Sequence, residues 1–286
     1  MDLKTKAETF RALHEGGRIL VLVNAWDVAS ARIVEAAGAP AVATTSAGVA
    51  NALGYADGEH IPRHVMIEAV RRIARALEVP VSADVEAGYG PRPEDAAETA
   101  RQLIAAGAVG MNFEDGTGDP ANPLLAVDQQ VARIRAIREV AASQDVPLVL
   151  NARTDVFLAA AGAPGTRFDE AVRRANAYRE AGADCLFVPA VTAADDIAGL
   201  ARAIHGPLNI LAGPGAPPVA ELQRLGVARV STGSAFLRSC FATARDVARE
   251  VFTTGSWESL FGNIISYGEM NELAGERPSG STGLSA

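Results

Sequence analysis

The chain has 286 residues, of which 49% are hydrophobic and 21% charged, so it can bury a large core and is not of disordered composition. Its formal net charge of −8 disfavours nucleic acid and anionic membranes as partners, and no apolar run approaches the roughly 20 residues that span a bilayer. Lysine occurs only at positions 4 and 6, which excludes Schiff-base aldolases, pyridoxal phosphate enzymes and P-loop nucleotidases, since each needs a lysine inside the fold.

A short β-rich apolar run followed by an amphipathic helical stretch recurs along most of the chain. The eight runs cover residues 19–26, 41–47, 79–86, 108–115, 147–154, 183–190, 207–213 and 228–234. Strands that alternate with helices pair in parallel, and eight of them at this length predict an α/β fold of the (β/α)8 TIM barrel type. A doubly wound fold is the alternative, but NAWDVA replaces the G-x-G-x-x-G expected after its first strand.

The segments outside the repeat extend the barrel at both ends. Residues before position 19 predict an extra helix across the barrel floor, and they lack the apolar core of a secretion signal, so we expect a cytoplasmic protein. Residues 236–252 and 257–272 predict helices after the eighth strand. We therefore expect one barrel domain over residues 1–275 and a disordered tail, rich in Ser and Gly, at 276–286.

Acidic residues concentrate where the third and fourth strands end, which is the active-site face of such a barrel. Asp84 and Glu86 stand at i and i+2, a spacing that points both side chains to one side of a strand, and Glu114 ends the next strand. Neighbouring strands lie about 5 Å apart, so the three carboxylates should converge and require a cation. Because no histidine or cysteine stands at a strand end, Mg²⁺ or Mn²⁺ suits them and zinc does not. The alternative is that these acids cap helices or pair with arginine.

Arg153 ends the fifth strand, at a position where it can meet an anionic substrate. A guanidinium there can hold a carboxylate in bidentate fashion. It can also form a structural salt bridge to Glu114 or Asp155, and both interpretations can hold at once.

The second strand ends in three small residues, Ser46, Ala47 and Gly48, with Asp57 in the loop that follows. A hydroxyl and exposed backbone N–H groups can receive an anion. The alternative is a turn of small residues with no role in binding.

Five motifs, in this order, resemble the isocitrate lyase and phosphoenolpyruvate mutase superfamily. They are SAG at 46–48, GYADG at 54–58, DVEAGYG at 84–90, FED at 113–115 and NARTD at 151–155. The resemblance implies a TIM barrel whose eighth helix, here within residues 257–272, is exchanged between subunits of a homotetramer built as a dimer of dimers. It also implies Mg²⁺, a pyruvate-like 2-oxo acid or dicarboxylic acid substrate, and chemistry on a C–C or C–P bond at its C3.

The resemblance implies two sets of site residues. The metal would be held by Asp84, with Asp57, Glu86 and Glu114 binding it directly or through water. The substrate carboxylate would be held by Ser46, the amides of Ala47 and Gly48, and Arg153.

Two departures from the family pattern bear on the reaction. Isocitrate and methylisocitrate lyases carry K-[KR]-C-G-H after the fourth strand, whereas residues 116–128 read GTGDPANPLLAVD. In this loop Asn122 is the group that we expect to reach a substrate when the loop closes. The mutases carry a histidine at the end of the sixth strand, where this chain has Pro189.

With both acids absent, the resemblance favours chemistry in which the leaving fragment needs no protonation. We expect a Mg²⁺-dependent lyase that cleaves a C–C bond at C3 of a small 2-oxo or 2-hydroxy dicarboxylate, through a metal-stabilised enolpyruvate. Decarboxylation of oxaloacetate and a retro-aldol cleavage both fit. One alternative is a hydrolase or mutase acting on the C–P bond of phosphonopyruvate. The other is a catalytically silent protein that binds 2-oxo acids.

Overall fold

Within residues 1–275, which the computed structural model describes, nine short strands form one parallel sheet in the order β1-β9-β8-β7-β6-β5-β4-β3-β2. The strands are β1 (Leu20–Leu22), β2 (Asn24–Ala25), β3 (Val42–Thr44), β4 (Val81–Asp84), β5 (Gly110–Glu114), β6 (Val149–Arg153), β7 (Cys185–Phe187), β8 (Leu208–Leu211) and β9 (Arg229–Ser231). Each of the eight predicted runs contains a strand. Because β1 pairs with β9, β2 pairs with β3, and only Val23 separates β1 from β2, the sheet closes into the predicted TIM barrel.

Helices lie between the strands and beyond both ends of the barrel. They are α1 (Leu3–Glu15), α2 (Val28–Ala36), α3 (Ser46–Ala52), α4 (Arg63–Ala76), α5 (Pro93–Ala106), α6 (Val127–Ser143), α7 (Arg167–Glu180), α8 (Ala194–Ala203), α9 (Val219–Arg224), α10 (Ala235–Thr254), α11 (Glu258–Gly262) and α12 (Tyr267–Ala274), with a 3₁₀ turn at Pro164–Thr166. None of the helices within residues 1–275 is long and apolar enough to cross a membrane.

Helix α5 shows how the sequence sets the ends of these helices. Pro93 occupies its first turn, where a missing N–H costs nothing, and Glu94 and Asp95 face the positive end of the helix dipole. Gly107 ends the helix in the left-handed region at φ 99°, which a residue with a Cβ adopts at a cost. The chain can therefore turn directly into β5.

The extra helix predicted at the N-terminus is α1, and it closes the floor of the barrel. Its Phe10 is fully buried, and a Cβ at Gly110 would lie 2.6 Å from the Phe10 ring. Glycine at the start of β5 therefore leaves the space that this ring fills.

The chain after β9 leaves much apolar surface exposed. Leu237 is the one residue of α10 that is buried, whereas Phe252 and Tyr267 are 89% and 86% exposed. Helical structure was predicted over residues 257–272, and two short helices lie there, because the chain leaves α11 after Gly262 and Ser266 caps α12 by accepting from the Glu269 N–H. Helix exchange stays a prediction, and the predicted disordered tail at 276–286 lies outside the described residues.

Candidate active site

Two cavities lie at the carboxyl ends of the strands, and Leu158 lines both. The first, which we call the mouth cavity, has a volume of about 140 Å³ and includes Ser46, Ala47, Asp57, Asp84, Asn112, Arg153 and Arg229 in its lining. The second, the side cavity, has about 370 Å³ and includes Glu59, Glu86, Glu114, Asp119 and Asp155. The predicted acids are thus divided between two neighbouring spaces.

The Asp84 carboxylate is held in one orientation at the end of β4. Its Oδ2 accepts from the backbone N–H of Ser46 at 3.1 Å and from the Ser46 hydroxyl at 2.9 Å. Its Oδ1 accepts from Asn112 Nδ2 at 2.8 Å, and the Asp84 N–H donates to Thr44 Oγ1 at 2.9 Å. Three donors therefore fix a half-buried carboxylate on the wall of the mouth cavity.

Asn112 belongs to a polar layer inside the barrel that the sequence analysis missed. It accepts from Asn151 Nδ2 at 2.8 Å while it donates to Asp84. A signal for this layer was present, because Asn112 precedes Glu114 by two residues and Asn151 precedes Arg153 by two. A polar residue two positions before a strand-end acid or arginine points to the same side of the strand, toward the barrel interior.

The interpretation of Ser46, Ala47 and Gly48 as strand-end anion donors needs correction. The strand stops at Thr44, and Thr45 caps helix α3, with its hydroxyl accepting from the Gly48 N–H at 3.4 Å. Gly48 is buried behind the cap and does not line the mouth cavity, whereas Ser46 and Ala47 do. Ser46 directs both its N–H and its hydroxyl to Asp84, so its role in this structure is to orient that carboxylate.

Asp57 is the second carboxylate beside the Ser46 hydroxyl. Its Oδ1 is 3.5 Å from the Ser46 hydroxyl, which also contacts Asp84. Burial, followed by repulsion from Asp84, raises the pKa of Asp57. The pair is therefore an anionic site that a cation would stabilise.

Glu86 departs from the predicted geometry, in which it shares a side of the strand with Asp84. The strand ends at Asp84 and Glu86 has a φ of 52°, so the side chain turns into the side cavity. Its Oε2 accepts from the Glu59 N–H at 2.5 Å, and its Oε1 is buried without a hydrogen bond among the described residues. Burial, together with the charges of Asp57 and Asp84, raises the pKa of Glu86 to about 7.

Arg153 stands between two carboxylates. It contacts Glu114 at 2.5 Å and pairs with Asp155 through two bonds of 2.5 and 2.9 Å. Both structural salt bridges that the sequence suggested are therefore present. Burial raises the pKa of Glu114, and Arg153 opposes that shift. Of the five guanidinium N–H groups, these contacts use three, and Arg153 still lines the mouth cavity.

A buried network fixes the end of β6 that carries Arg153. Asp115 accepts from the Tyr178 hydroxyl at 2.6 Å, the Thr154 hydroxyl at 2.8 Å, the Asp155 N–H at 2.9 Å and Arg174 at 3.1 Å. Because a charged acceptor with four donors is strongly held, the backbone leading to Asp155 has little freedom.

Asn122 lies outside both cavities. It is exposed on the loop after β5, where its Nδ2 donates to Asp119 at 3.2 Å and Thr117 donates to its carbonyl at 2.5 Å. The structure therefore does not bring Asn122 to the other candidates, and its contact with substrate on loop closure stays a prediction.

The acidic side chains of the site suit Mg²⁺ better than they suit an ion that must be bound by several side chains at once. Within residues 1–275, no three Asp, Glu, His or Cys side chains come together closely enough to bind one ion, so the predicted convergence of Asp84, Glu86 and Glu114 was wrong. Mg²⁺ is usually held by one or two carboxylates and keeps several of its waters. One fixed carboxylate, Asp84, with the acids Asp57, Glu86 and Glu114 of raised pKa around it, is such an arrangement.

Comparison with known proteins shows which families and structures this chain is similar to. Residues 10–252 match the family model for phosphoenolpyruvate phosphomutase. An uncharacterised protein of Mycobacterium tuberculosis H37Rv is 38% identical over 244 residues, which cover 85% of this chain and 88% of that protein. An oxaloacetate decarboxylase of Rhodopseudomonas palustris BisB18 is 31% identical over 221 residues, covering 75% and 73%. A crystal structure of phosphonopyruvate hydrolase with oxalate and Mg²⁺ is 26% identical, with a TM-score of 0.82 and coverage of 94% of each chain.

Proposed function

Because the chain belongs to the phosphoenolpyruvate phosphomutase family, we propose that it is a Mg²⁺-dependent lyase that cleaves a C–C bond at C3 of a small 2-oxo or 2-hydroxy dicarboxylate. Oxaloacetate, cleaved by decarboxylation, and a substrate of retro-aldol cleavage are the two forms of this proposal. The similarity to an oxaloacetate decarboxylase supports the first form.

One observation carries the proposal, which is the fixed orientation of Asp84 in the mouth cavity that Arg153 also lines. Three hydrogen bonds hold Asp84, and two salt-bridge partners hold Arg153. An anchored carboxylate suits a divalent cation, and an anchored guanidinium with free N–H groups suits a substrate carboxylate. Groups held in place before the reaction lose little free energy to reorganisation as charge develops.

The residues of the site would divide the work in the following way. Arg153 binds the substrate carboxylate through its two remaining N–H groups, and Glu114 keeps the guanidinium in position. Mg²⁺ bound beside Asp84 would supply stabilisation of the negative charge that develops on the 2-oxo oxygen. Asp57, whose pKa is raised, would hold a proton at the wall of the mouth cavity.

The loop after β5 and the end of β7 explain why we favour decarboxylation, in which CO2 leaves without a proton. A retro-aldol cleavage releases a carbanion that must be protonated, and Asp57, whose pKa is raised, is the candidate donor. Residues 116–128 contain no Lys, Cys or His, and Pro189 lies in the lining of the mouth cavity where a histidine would serve a mutase. We propose that Asn122 moves to the substrate when this loop closes and excludes water there.

We also propose that the enzyme is a homotetramer, a dimer of dimers that exchanges its last helices. The exposed apolar side chains of α10–α12 support this, since a monomer rarely exposes so many. They are Phe241, Phe252, Trp257, Phe261, Ile264 and Tyr267.

A substrate panel tests the proposed function. The protein, with Mg²⁺, is incubated with oxaloacetate, citramalate, dimethylmalate and phosphonopyruvate, and the release of pyruvate and phosphate is measured. Pyruvate from oxaloacetate or citramalate, or cleavage of dimethylmalate, with no phosphate from phosphonopyruvate, is expected. Phosphate from phosphonopyruvate would instead support the hydrolase, which the similarity to phosphonopyruvate hydrolase favours. Tight binding of 2-oxo acids without any product would support the silent binding protein.

A further inference from the structure

Arg229 is a buried guanidinium in the lining of the mouth cavity. It is the first residue of β9, where it pairs in register with Leu20 of β1 and Asn209 of β8, and it is 2% exposed. Its guanidinium carbon lies 6.0 Å from the centre of the Phe10 ring, so the side chain reaches toward the helix that closes the barrel floor. The mouth cavity therefore has a positive group deep in the barrel.

This guanidinium differs from the other buried arginines in having no acceptor. Among residues 1–275, no hydrogen bond or ion pair involves its side chain, and its Nε and Nη1 are buried and unpartnered. By contrast, Arg133 donates to Gln130 at 2.9 Å and to the Gly90 carbonyl at 2.8 Å. A buried charge without a partner is strongly unfavourable, and one cation–π contact offsets only part of that cost. The environment of Arg229 therefore lacks an anion.

A second unpartnered donor lies in the same part of the cavity. Ser82 lines the mouth cavity, and its Oγ is buried without a hydrogen bond. Ser82 and Phe10 meet at Gly110, because a Cβ on that glycine would lie 2.7 Å from Ser82 Oγ and 2.6 Å from the Phe10 ring. Phe10 is thus the common neighbour of Ser82 and Arg229.

The other polar side chains near Arg229 supply no negative charge. His14 Nε2 is buried and unpartnered among the described residues, but burial lowers the pKa of His14 to about 4 and raises the pKa of Cys185 to about 12, so both side chains are neutral. Asn209 and Ser231, which flank it on the strands, bond to each other at 3.3 and 3.4 Å. Asp84 is held by Ser46 and Asn112. Neither the neighbouring side chains nor the acids at the mouth neutralise the guanidinium, so a bound ligand is the remaining source of negative charge.

We propose that Arg229 and Ser82 form an anion subsite at the inner end of the mouth cavity, which takes a carboxylate or a halide ion. Two sources have this chemistry. One is the second acid group of the substrate, and this source rests on the proposed function, with Arg153 holding the first carboxylate. The other is a free inorganic anion such as chloride.

The first arm of the test compares two ligands that differ in the second acid group. Malate and 2-hydroxybutyrate have four-carbon chains, but malate carries a carboxylate where 2-hydroxybutyrate has a methyl group. By calorimetry with Mg²⁺, the wild type should bind malate at least about tenfold more tightly, and Arg229→Met should lose this preference. Arg229→Lys, which keeps the charge without the planar fork, should retain part of it.

The second arm measures the unfolding temperature in chloride and in methanesulfonate, which is neither a carboxylate nor a halide, at equal ionic strength. If a free anion occupies the subsite, chloride stabilises the wild type but not Arg229→Met, and bromide gives an anomalous diffraction peak beside Arg229. Without chloride, Arg229→Met should be at least as stable as the wild type, because it removes an unneutralised charge.

Each result bears on the proposal in a defined way. A preference for malate that depends on Arg229 supports the substrate source, and a chloride response that depends on Arg229 supports the inorganic source. If Arg229→Met keeps the malate preference and the chloride response of the wild type, or if the wild type shows neither, the subsite does not exist. Ser82→Ala, which should weaken whichever response is found, provides a second variant should Arg229→Met fail to fold. Both arms measure binding and do not depend on turnover. An absence of turnover would therefore refute the proposed function without changing the interpretation of the binding results.

Discussion

Buried titrating groups at the two ends of the barrel resist ionisation, and their pKa values are shifted in opposite directions. At the mouth, burial and mutual repulsion raise the pKa values of Asp57 and Glu86, so these acids resist ionisation. At the floor, burial and the nearby Arg229 guanidinium lower the pKa of His14 to about 4, so this base resists protonation. The mouth therefore favours a cation and the floor favours an anion.

This contrast shows that groups of opposite sign can line one cavity without pairing with each other. Asp84 and Arg229 both line the mouth cavity, yet Asp84 is bonded to Ser46 and Asn112 rather than to the guanidinium. A ligand with a metal ion near one end and an acid group at the other would satisfy both regions. The following predictions test the mouth and the floor separately.

The largest effect is expected from Asp84→Asn at the mouth. The amide keeps the size of the side chain but removes the charge, so kcat/KM on the active substrate should fall by about 10² to 10³. Steady-state kinetics with saturating Mg²⁺ provide the measurement, and Asp196→Asn, exposed on α8 away from both cavities, is the matched control. A loss of less than threefold for Asp84→Asn would contradict its assignment to the metal.

At the floor, His14→Gln should change how stability depends on acid. The pKa of His14 in the folded chain, about 4, lies below the ordinary histidine value of 6.5. As the pH falls, the unfolded chain therefore takes up a proton that the folded chain does not. The stability that the neutral histidine provides is present above pH 6.5 and is lost as the pH falls toward 4, by about 3 kcal/mol. Urea unfolding at pH 7 and pH 4.5 should show a smaller loss for the variant, and parallel losses would rule out a buried neutral His14.

The mouth should show the reverse dependence through Glu86→Gln. The pKa of Glu86 in the folded chain, about 7, lies above the ordinary glutamate value of 4.5. The folded chain therefore holds a proton that the unfolded chain releases. Wild-type stability therefore falls as the pH rises from 4.5 to 7, and the variant should gain about 1 to 2 kcal/mol over the wild type at pH 8 without metal. Urea unfolding with EDTA measures the difference. A variant less stable than the wild type at pH 8 would show that the Glu86 charge is compensated.

The smallest effect is expected from Asn122→Ala on the loop after β5. One hydrogen bond to substrate in the closed state contributes about 1 kcal/mol, so kcat/KM should fall by less than about tenfold. Equal kinetics for the variant and the wild type would show that Asn122 does not reach the substrate.

The fold was predictable from the sequence because short apolar runs alternate with amphipathic helical stretches along the chain. Asp84 and Arg153 were also placed correctly at the barrel mouth, since both are the last residues of regular strands. Side-chain direction can be read there from alternation alone. The positions of such residues can be predicted without knowing the conformations of the loops.

The placements of Glu86 and Gly48 were wrong because the backbone leaves regular structure there, whereas the roles of Asp57 and Asn122 stay predictions. The positive φ of Glu86 moves it to another cavity, and the cap formed by Thr45 takes the Gly48 N–H. Neither the positive φ of Glu86 nor the cap at Thr45 can be predicted from residue type, because both acids and glycines adopt several conformations in loops. Arg229 was missed for a different reason. It stands at a junction between a helix and a strand, where the sequence shows an ordinary arginine and only packing reveals that it has no partner.

The pairing of β1 with β9 has a consequence for biosynthesis. Leu20 and Arg229 are register partners, so the first strand must wait for the last before its hydrogen bonds can form. Until residues near 231 have emerged from the ribosome, the barrel of a nascent chain cannot close. The barrel floor that Phe10 covers is then incomplete. Contacts this distant along the chain carry a large loop-closure entropy and form late. Ribosome stalling or truncation before the ninth strand should therefore yield an open sheet with its interior accessible to chaperones and proteases.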